Sequence, residues 1–168
     1  DMPDDRAIND GWQNLSELGA IDARRQLTEI GRQMARLPVD VKLARMLVAA
    51  KQHDSLQEMI VIAAFMGIAD PRERPADAKQ AADTAHRQFA DSGSEFLAVI
   101  RLWRAYRQMH EELSQSQLRK WCERNFLSYL RMREWRELHR QLLITARELQ
   151  WPLPEWPDIE ARLEAAAQ

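Results

Sequence analysis

Leu27-Thr28-Glu29-Ile30-Gly31-Arg32-Gln33-Met34-Ala35-Arg36-Leu37-Pro38-Val39-Asp40 is the stretch from which the fold can be read. Thr28 stands just ahead of Ile30, Met34 and Leu37, which share one helical face. Its hydroxyl suits an N-cap, where it accepts from an otherwise unpaired amide of the first turn. Pro38 cannot continue a helix interior, so the helix is expected over Glu29 to Arg36. Asp40 offers a second cap, and Leu43, Met46 and Leu47 recur on one side of Val41 to about Gln52.

Upstream, Asp5 can cap a helix running to about Leu18, with Ile8, Trp12, Leu15 and Leu18 on one face and Gly19 at its end. Ala20-Ile21-Asp22 and the residues near Gln26-Leu27 are short enough to be the two strands of a small wing. Helix, short strand pair, helix, helix is a winged-helix pattern in degenerate form.

Downstream, Asp54 or Ser55 starts a helix over Leu56 to Ala69. Its segment Met59 to Met66 is apolar all round, which predicts a central position. The prolines of Asp70-Pro71-Arg72-Glu73-Arg74-Pro75 force a loop. Helices are then expected over Ala76 to Phe89, from the Ser94 cap over Glu95 to about Glu112, after Ser114-Gln115-Ser116, and from Tyr129 to Leu149, with a turn at Asp91-Ser92-Gly93-Ser94. Trp151-Pro152-Leu153-Pro154-Glu155-Trp156-Pro157 reads as an extended connector in which Trp151 and Trp156 are the tryptophans expected to be partly exposed. Asp158 caps a last short helix, Ile159 to Ala167. Trp12, Trp103, Trp121 and Trp135 fall on apolar helix faces and read as core. The division expected is residues 1–53, residues 54–150, and a proline-rich connector with a short terminal helix over 151–168.

Composition agrees. A chain of 168 residues with five glycines and 45% hydrophobic residues suits an α-rich fold with a real core. The single cysteine, Cys122, excludes an internal disulfide framework, fits a reducing cytoplasm and reads as a buried thiol. No stretch approaches the roughly 20 apolar residues that span a bilayer, so no membrane partner is expected. The chain opens on Asp1 in a polar segment without a signal sequence, and a piece of a longer polypeptide is expected.

No active site can be assembled. There is no Gly-rich phosphate loop, and His53, His86, His110 and His139 are scattered. Asp83 and His86, three apart on one helix, read as surface residues and not as a zinc site. No catalytic residue, metal or cofactor is therefore expected in this chain itself.

Charge is more telling in its distribution than in its sum of −2. Residues 1–22 hold six acids against the single Arg6, whereas residues 101–140 hold ten Lys/Arg against five Asp/Glu. Such a segment can form an anion-binding face, or a solvated surface of intrahelical pairs such as Arg131–Glu134 and Arg133–Glu137. Arg133, Arg136, Arg140 and Arg147 form one helical stripe, with Arg131 beside it, and Arg101 and Arg104 form a shorter one. Arg72 and Arg74 lie on the proline-bounded loop, where side chains are presented for contact. The planar guanidinium fork suits phosphate, so these arginines are the candidate RNA-binding residues.

The stretch Leu27 to Asp40, together with Asp70 to Pro75, Ala81-Ala82-Asp83 through Phe89, Trp121-Cys122, Asn125-Phe126-Leu127 and Gln141-Leu142, resembles the helicase-associated region of bacterial DEAH-box RNA helicases of the HrpA type. The order and spacing of these pieces carry the resemblance, from Asp5 to about Leu142. It implies a mainly α fold: a degenerate winged-helix module followed by a ratchet-like helical bundle. It also implies a place beside RecA-like motor domains that bind ATP and Mg, ahead of an oligonucleotide-binding-fold domain. By resemblance, the region would contact single-stranded RNA and couple motor movement to 3′-to-5′ translocation. A helical module docking a ribosome or partner protein is the alternative. A duplex-DNA-reading winged helix is the third reading, disfavoured because Arg32 and Arg36 are the sole basic residues of its recognition helix.

Overall fold

A computed structural model describes residues 5–24, 26–90, 93–156 and 165. Among the described residues eight α-helices are delimited: α1 Asp5–Glu17, α2 Glu29–Arg36, α3 Val41–Ala50, α4 Leu56–Met66, α5 Lys79–Arg87, α6 Glu95–Glu112, α7 Gln115–Arg124 and α8 Tyr129–Glu148. The expected turn at Asp91-Ser92, the helix capped by Asp158, and the side chains of Ile8 and Trp12 on α1 lie outside the described residues.

The chain divides into two compact units. The first comprises Asp1–Met59 and Gln141–Gln168, the second Ile60–Arg140.

In the first unit the expected caps form. The Thr28 side chain accepts from the Gly31 amide, and that of Asp40 from the Leu43 amide. Gly19, at φ +75°, closes α1, and the Ala20 amide reaches back to the Leu15 carbonyl at 3.0 Å. The expected wing is reduced. Among the described residues there is no strand, and Ile21 and Leu27 pair through a single antiparallel bridge. Asp22 explains its brevity: its carboxylate accepts from the amides of Arg24 and Gln26, bending the chain straight after Ile21. Gly31 permits a close approach, since a Cβ there would meet the Ala20 carbonyl oxygen at 2.0 Å. Met34, Leu37, Leu43, Leu47, Leu142 and Ala146 form the core.

Trp151 departs from expectation. It is 6% exposed, donates from Nε1 to Gln33 Oε1 at 3.2 Å, and lies under the Lys51 ammonium. Gln150 at φ 58° turns the chain back after α8, with the Trp151 amide on the Ala146 carbonyl. The connector thus re-enters the first unit. Trp156 is half-buried.

In the second unit, Ile60, Val61, Ala63 and Ala64 of α4 are buried, as its apolar circumference requires. The helix stops at Met66, before the expected Ala69, at Gly67, where a Cβ would sit 2.7 Å from Leu138 Cδ2. The start of α5 shifts to Lys79 because the Ala78 amide turns onto the Pro75 carbonyl. The Ser94 cap of α6 forms, and Ser114 with Gln117 makes a capping box on α7. Trp103 and Trp135 are in the core as expected, with ring centroids 4.9 Å apart, and Trp135 Nε1 donates to the Val61 carbonyl at 3.0 Å.

Candidate nucleic-acid interface

Two short segments set the frame of the second unit. At the end of α7, Asn125 donates to the Trp121 carbonyl and Phe126 takes φ 52°, a left-handed conformation that a bulky residue seldom adopts. The Leu127 amide returns to the Cys122 carbonyl, and Leu127 bridges to Arg72. The Phe126 carbonyl accepts from the Glu73 amide at 2.8 Å and from His86 Nε2 at 3.0 Å. The Ser128 amide donates to the Pro71 carbonyl, and its hydroxyl caps α8 through the Arg131 amide. The loop 70–75 is therefore clamped against the α7–α8 turn. Cys122 lies at its centre, fully buried, with its thiol pushed up to about 12 by burial, as an inert thiol should be.

This clamp commits several arginines expected to be presented. Arg72 grips Asp70 with two hydrogen bonds, pairs with Glu95 at 2.8 Å, and lies over the Phe65 ring. It is packed, not presented. Asp70 ends below the usual carboxylate range: burial raises it, but Arg72 outweighs that. Arg74 pairs with Asp83 at 2.8 Å in a two-pronged contact, and this pairing, with that of His86 on Phe126, gives both members of the Asp83/His86 pair structural partners. Arg131 donates to the Asp70 carbonyl and Arg101 to that of Ala90. Arg104 lies half-buried on α6.

Of the long-helix arginines, Arg140 is held by Glu137 through bonds of 3.0 and 2.5 Å. Neither expected pair, Arg131–Glu134 nor Arg133–Glu137, forms. Glu137 meets Arg140 at the i,i+3 spacing instead, and Arg133 lies over the Tyr129 ring, 5.7 Å from its centroid. Among the described residues, Arg133 and Arg136 form no ion pair, and both are exposed.

Arg133 and Arg136 open onto a cleft of about 690 Å³ between α6, the start of α7 and the first turns of α8. Its other walls include Tyr106, His110, Leu113, Leu118, Tyr129 and the 63% exposed Leu130. Arg119, from α7, adds a second guanidinium to Tyr129, 4.9 Å from the ring centroid. His110 is depressed by burial and then by Arg136 and Arg107, so its imidazole stays neutral at neutral pH. The cleft thus combines two guanidiniums, the carboxylates of Glu134 and of the Arg140-paired Glu137, an aromatic wall and a neutral imidazole. The arginine stripe points to the guanidiniums. Tyr129 and Arg119 were not singled out in the sequence; a Tyr ten residues from an Arg across a helix break gives no periodic signal.

Comparison with known proteins bears on this arrangement. Residues 11–39 match the family described as "Helicase associated domain (HA2), winged-helix", and residues 40–129 the one described as "Helicase associated domain (HA2), ratchet-like". The chain is 44% identical over 160 residues to the ATP-dependent RNA helicase HrpA homolog of Haemophilus influenzae, covering 91% of this chain. It is 42% identical over 162 residues to the ATP-dependent RNA helicase HrpA of Escherichia coli, covering 94%. It is 30% identical over 142 residues to the DExH-box ATP-dependent RNA helicase DExH1 of Arabidopsis thaliana, covering 84%. It spans 12%, 12% and 14% of the length of these relatives.

Proposed function

Because the chain belongs to the helicase-associated (HA2) family, spanning its winged-helix and ratchet-like parts, we propose that it is the accessory RNA-contacting region of an ATP-dependent RNA helicase. Chemistry in such a protein resides in RecA-like motor domains that bind ATP and Mg. This chain contributes a wall of the RNA path, transmits motor opening to the strand, and works in the cytoplasm alongside an oligonucleotide-binding-fold domain of the same polypeptide. The supporting observation is the pair of exposed guanidiniums, Arg133 and Arg136, without carboxylate partners on one face of α8. Such groups hold a phosphodiester backbone irrespective of sequence. Of the eight candidate arginines these two carry the reading. Arg72, Arg74, Arg101, Arg131 and Arg140 hold carboxylates or carbonyls of the chain, and their part in RNA contact would require exchanging those partners.

The test is fluorescence anisotropy of a labelled single-stranded RNA titrated with the chain at several salt concentrations. Binding that weakens steeply with salt and shows little sequence preference is expected. Absence of binding at low salt would overturn the proposal and turn attention to a docking role toward a ribosome or a partner protein.

A further inference from the structure

The cleft between α6, α7 and α8 contains a feature that backbone tracking does not use. Tyr106 is fully buried in its wall, and its hydroxyl has no hydrogen-bond partner. A buried unpaired hydroxyl costs stability, and phenylalanine would fill the same space without that cost. Burial also pushes this phenol up to about 12, so it remains a proton donor at neutral pH. Around it, Leu113 and Leu118 are apolar and His110 is neutral, while the exposed Arg133 and Arg136 line the cleft together with Glu134 and Glu137, the latter paired with Arg140.

A ligand that fits must pair a flat, neutral, hydrogen-bonding part with an anionic part. A bare anion would leave the apolar walls and the hydroxyl unused, and an apolar ligand would leave the arginines unused. The volume of about 690 Å³ lies within the ~300–1,000 Å³ of small-ligand sites. We propose that the cleft receives one unstacked nucleotide of the bound RNA strand, its base against Tyr129 and bonded to the Tyr106 hydroxyl, its phosphate on Arg133 and Arg136. This deepens the RNA-contact reading and rests on it. His110, whose ring centroid lies 6.1 Å from that of Tyr106, and Leu113, both half-buried in the cleft wall, are the side chains that turn aside as the base enters. Contact with the strand then has a register of one nucleotide, as a device that advances stepwise needs.

The experiment compares oligouridine with an abasic ribose-phosphate strand of equal length, each titrated with the chain by anisotropy across a salt series. The abasic strand keeps every phosphate, so its salt slope is expected to match, with affinity about ten-fold lower for loss of one stacked and bonded base. Tyr106→Phe is expected to melt no lower than the parent and to lose the hydroxyl's share of the preference for oligouridine, about three-fold, while stacking on Tyr129 keeps the rest. Equal affinity of the parent for the two strands would overturn the nucleotide pocket while leaving backbone contact standing. So would a folded Tyr106→Phe chain whose preference for oligouridine equals the parent's. Binding of neither strand would overturn both readings. The strand comparison needs no variant, so the proposal does not depend on how Tyr106→Phe folds.

Discussion

Replacing Arg133 and Arg136 together by glutamine tests the electrostatic part of the RNA reading quantitatively. Both side chains are exposed and neither holds a carboxylate, so their removal leaves the fold's ion pairs intact. Each phosphate neutralised on a single strand contributes about −0.7 to the slope of log affinity against log salt. Losing two contacts should therefore flatten the slope by about 1.4. Relative to a reference near ~1 M salt, one contact is worth about five-fold at ~0.1 M, and two about 25-fold. Arg140→Gln is the comparison within the same helix. Its guanidinium is committed to Glu137, so less than half the slope change of one contact is expected. The assay is anisotropy with single-stranded RNA at four or so salt concentrations, with thermal melting to establish that each variant is folded. A folded double variant whose affinity and slope equal those of the parent would refute the assignment of phosphate contact to this face.

Two further outcomes concern stability. His139 is 5% exposed, lies tilted against the Trp103 ring with centroids 4.5 Å apart, and is lowered from 6.5 to about 3 by burial and then by Arg107. The unfolded chain therefore takes up a proton on His139 between these two values while the folded chain does not. The contribution is present in full above about 6.5 and is lost as pH falls, by about 2 kcal/mol at ~pH 5. Urea unfolding of the parent and of His139→Leu at pH ~7 and ~5 should show a smaller acid loss in the variant, and parallel losses would contradict the burial argument. Gly31→Ala, which on helix propensity alone should stabilise, is expected to cost about 1–3 kcal/mol, because its Cβ would meet the Ala20 carbonyl oxygen at 2.0 Å and neither backbone can yield. A melting temperature equal to or above the parent's would show that the α1–α2 turn relaxes.

Helix positions were legible where a side chain announces a boundary. Thr28, Asp40 and Ser94 each cap the helix expected of them, the helix expected after Ser114-Gln115-Ser116 starts within that turn with Ser114 as its cap, and the apolar circumference of α4 translates into burial. Legibility failed where tertiary contact decides. The wing shrank to one bridge because Asp22 prefers local amides, and α4 stops at Gly67, where Leu138 closes in. Trp151 sits in a proline-rich segment that reads as extended, yet Gln33, 118 residues earlier, accepts its indole proton. The Trp121 to Leu127 motif was visible as letters. Its physical content is a left-handed Phe126 that presents a carbonyl to Glu73 and His86, and that content is visible only in three dimensions.

The arginines show the same limit at the candidate site. Spacing places Arg133, Arg136 and Arg140 on one stripe and treats them as equivalent. A carboxylate on the same helix cannot serve all of them, however, and Glu137 has acceptable partners at both i−4 and i+3. It pairs with Arg140, and Tyr129 offers Arg133 an aromatic face instead. Three and four residues from Arg136 stand Met132, Arg133, His139 and Arg140, so its own helix face offers it no acid at pairing distance. The choice made by Glu137 thus converts a uniform stripe into one neutralised arginine and two available ones. The available two are those that border the cleft holding the unpaired Tyr106 hydroxyl. Moving that choice by Glu137→Gln would release Arg140 and should steepen the salt slope of RNA binding. If it steepens by as much as one added phosphate contact, Arg140 lies along the strand's path beyond the cleft. If it does not change, the path ends at Arg136.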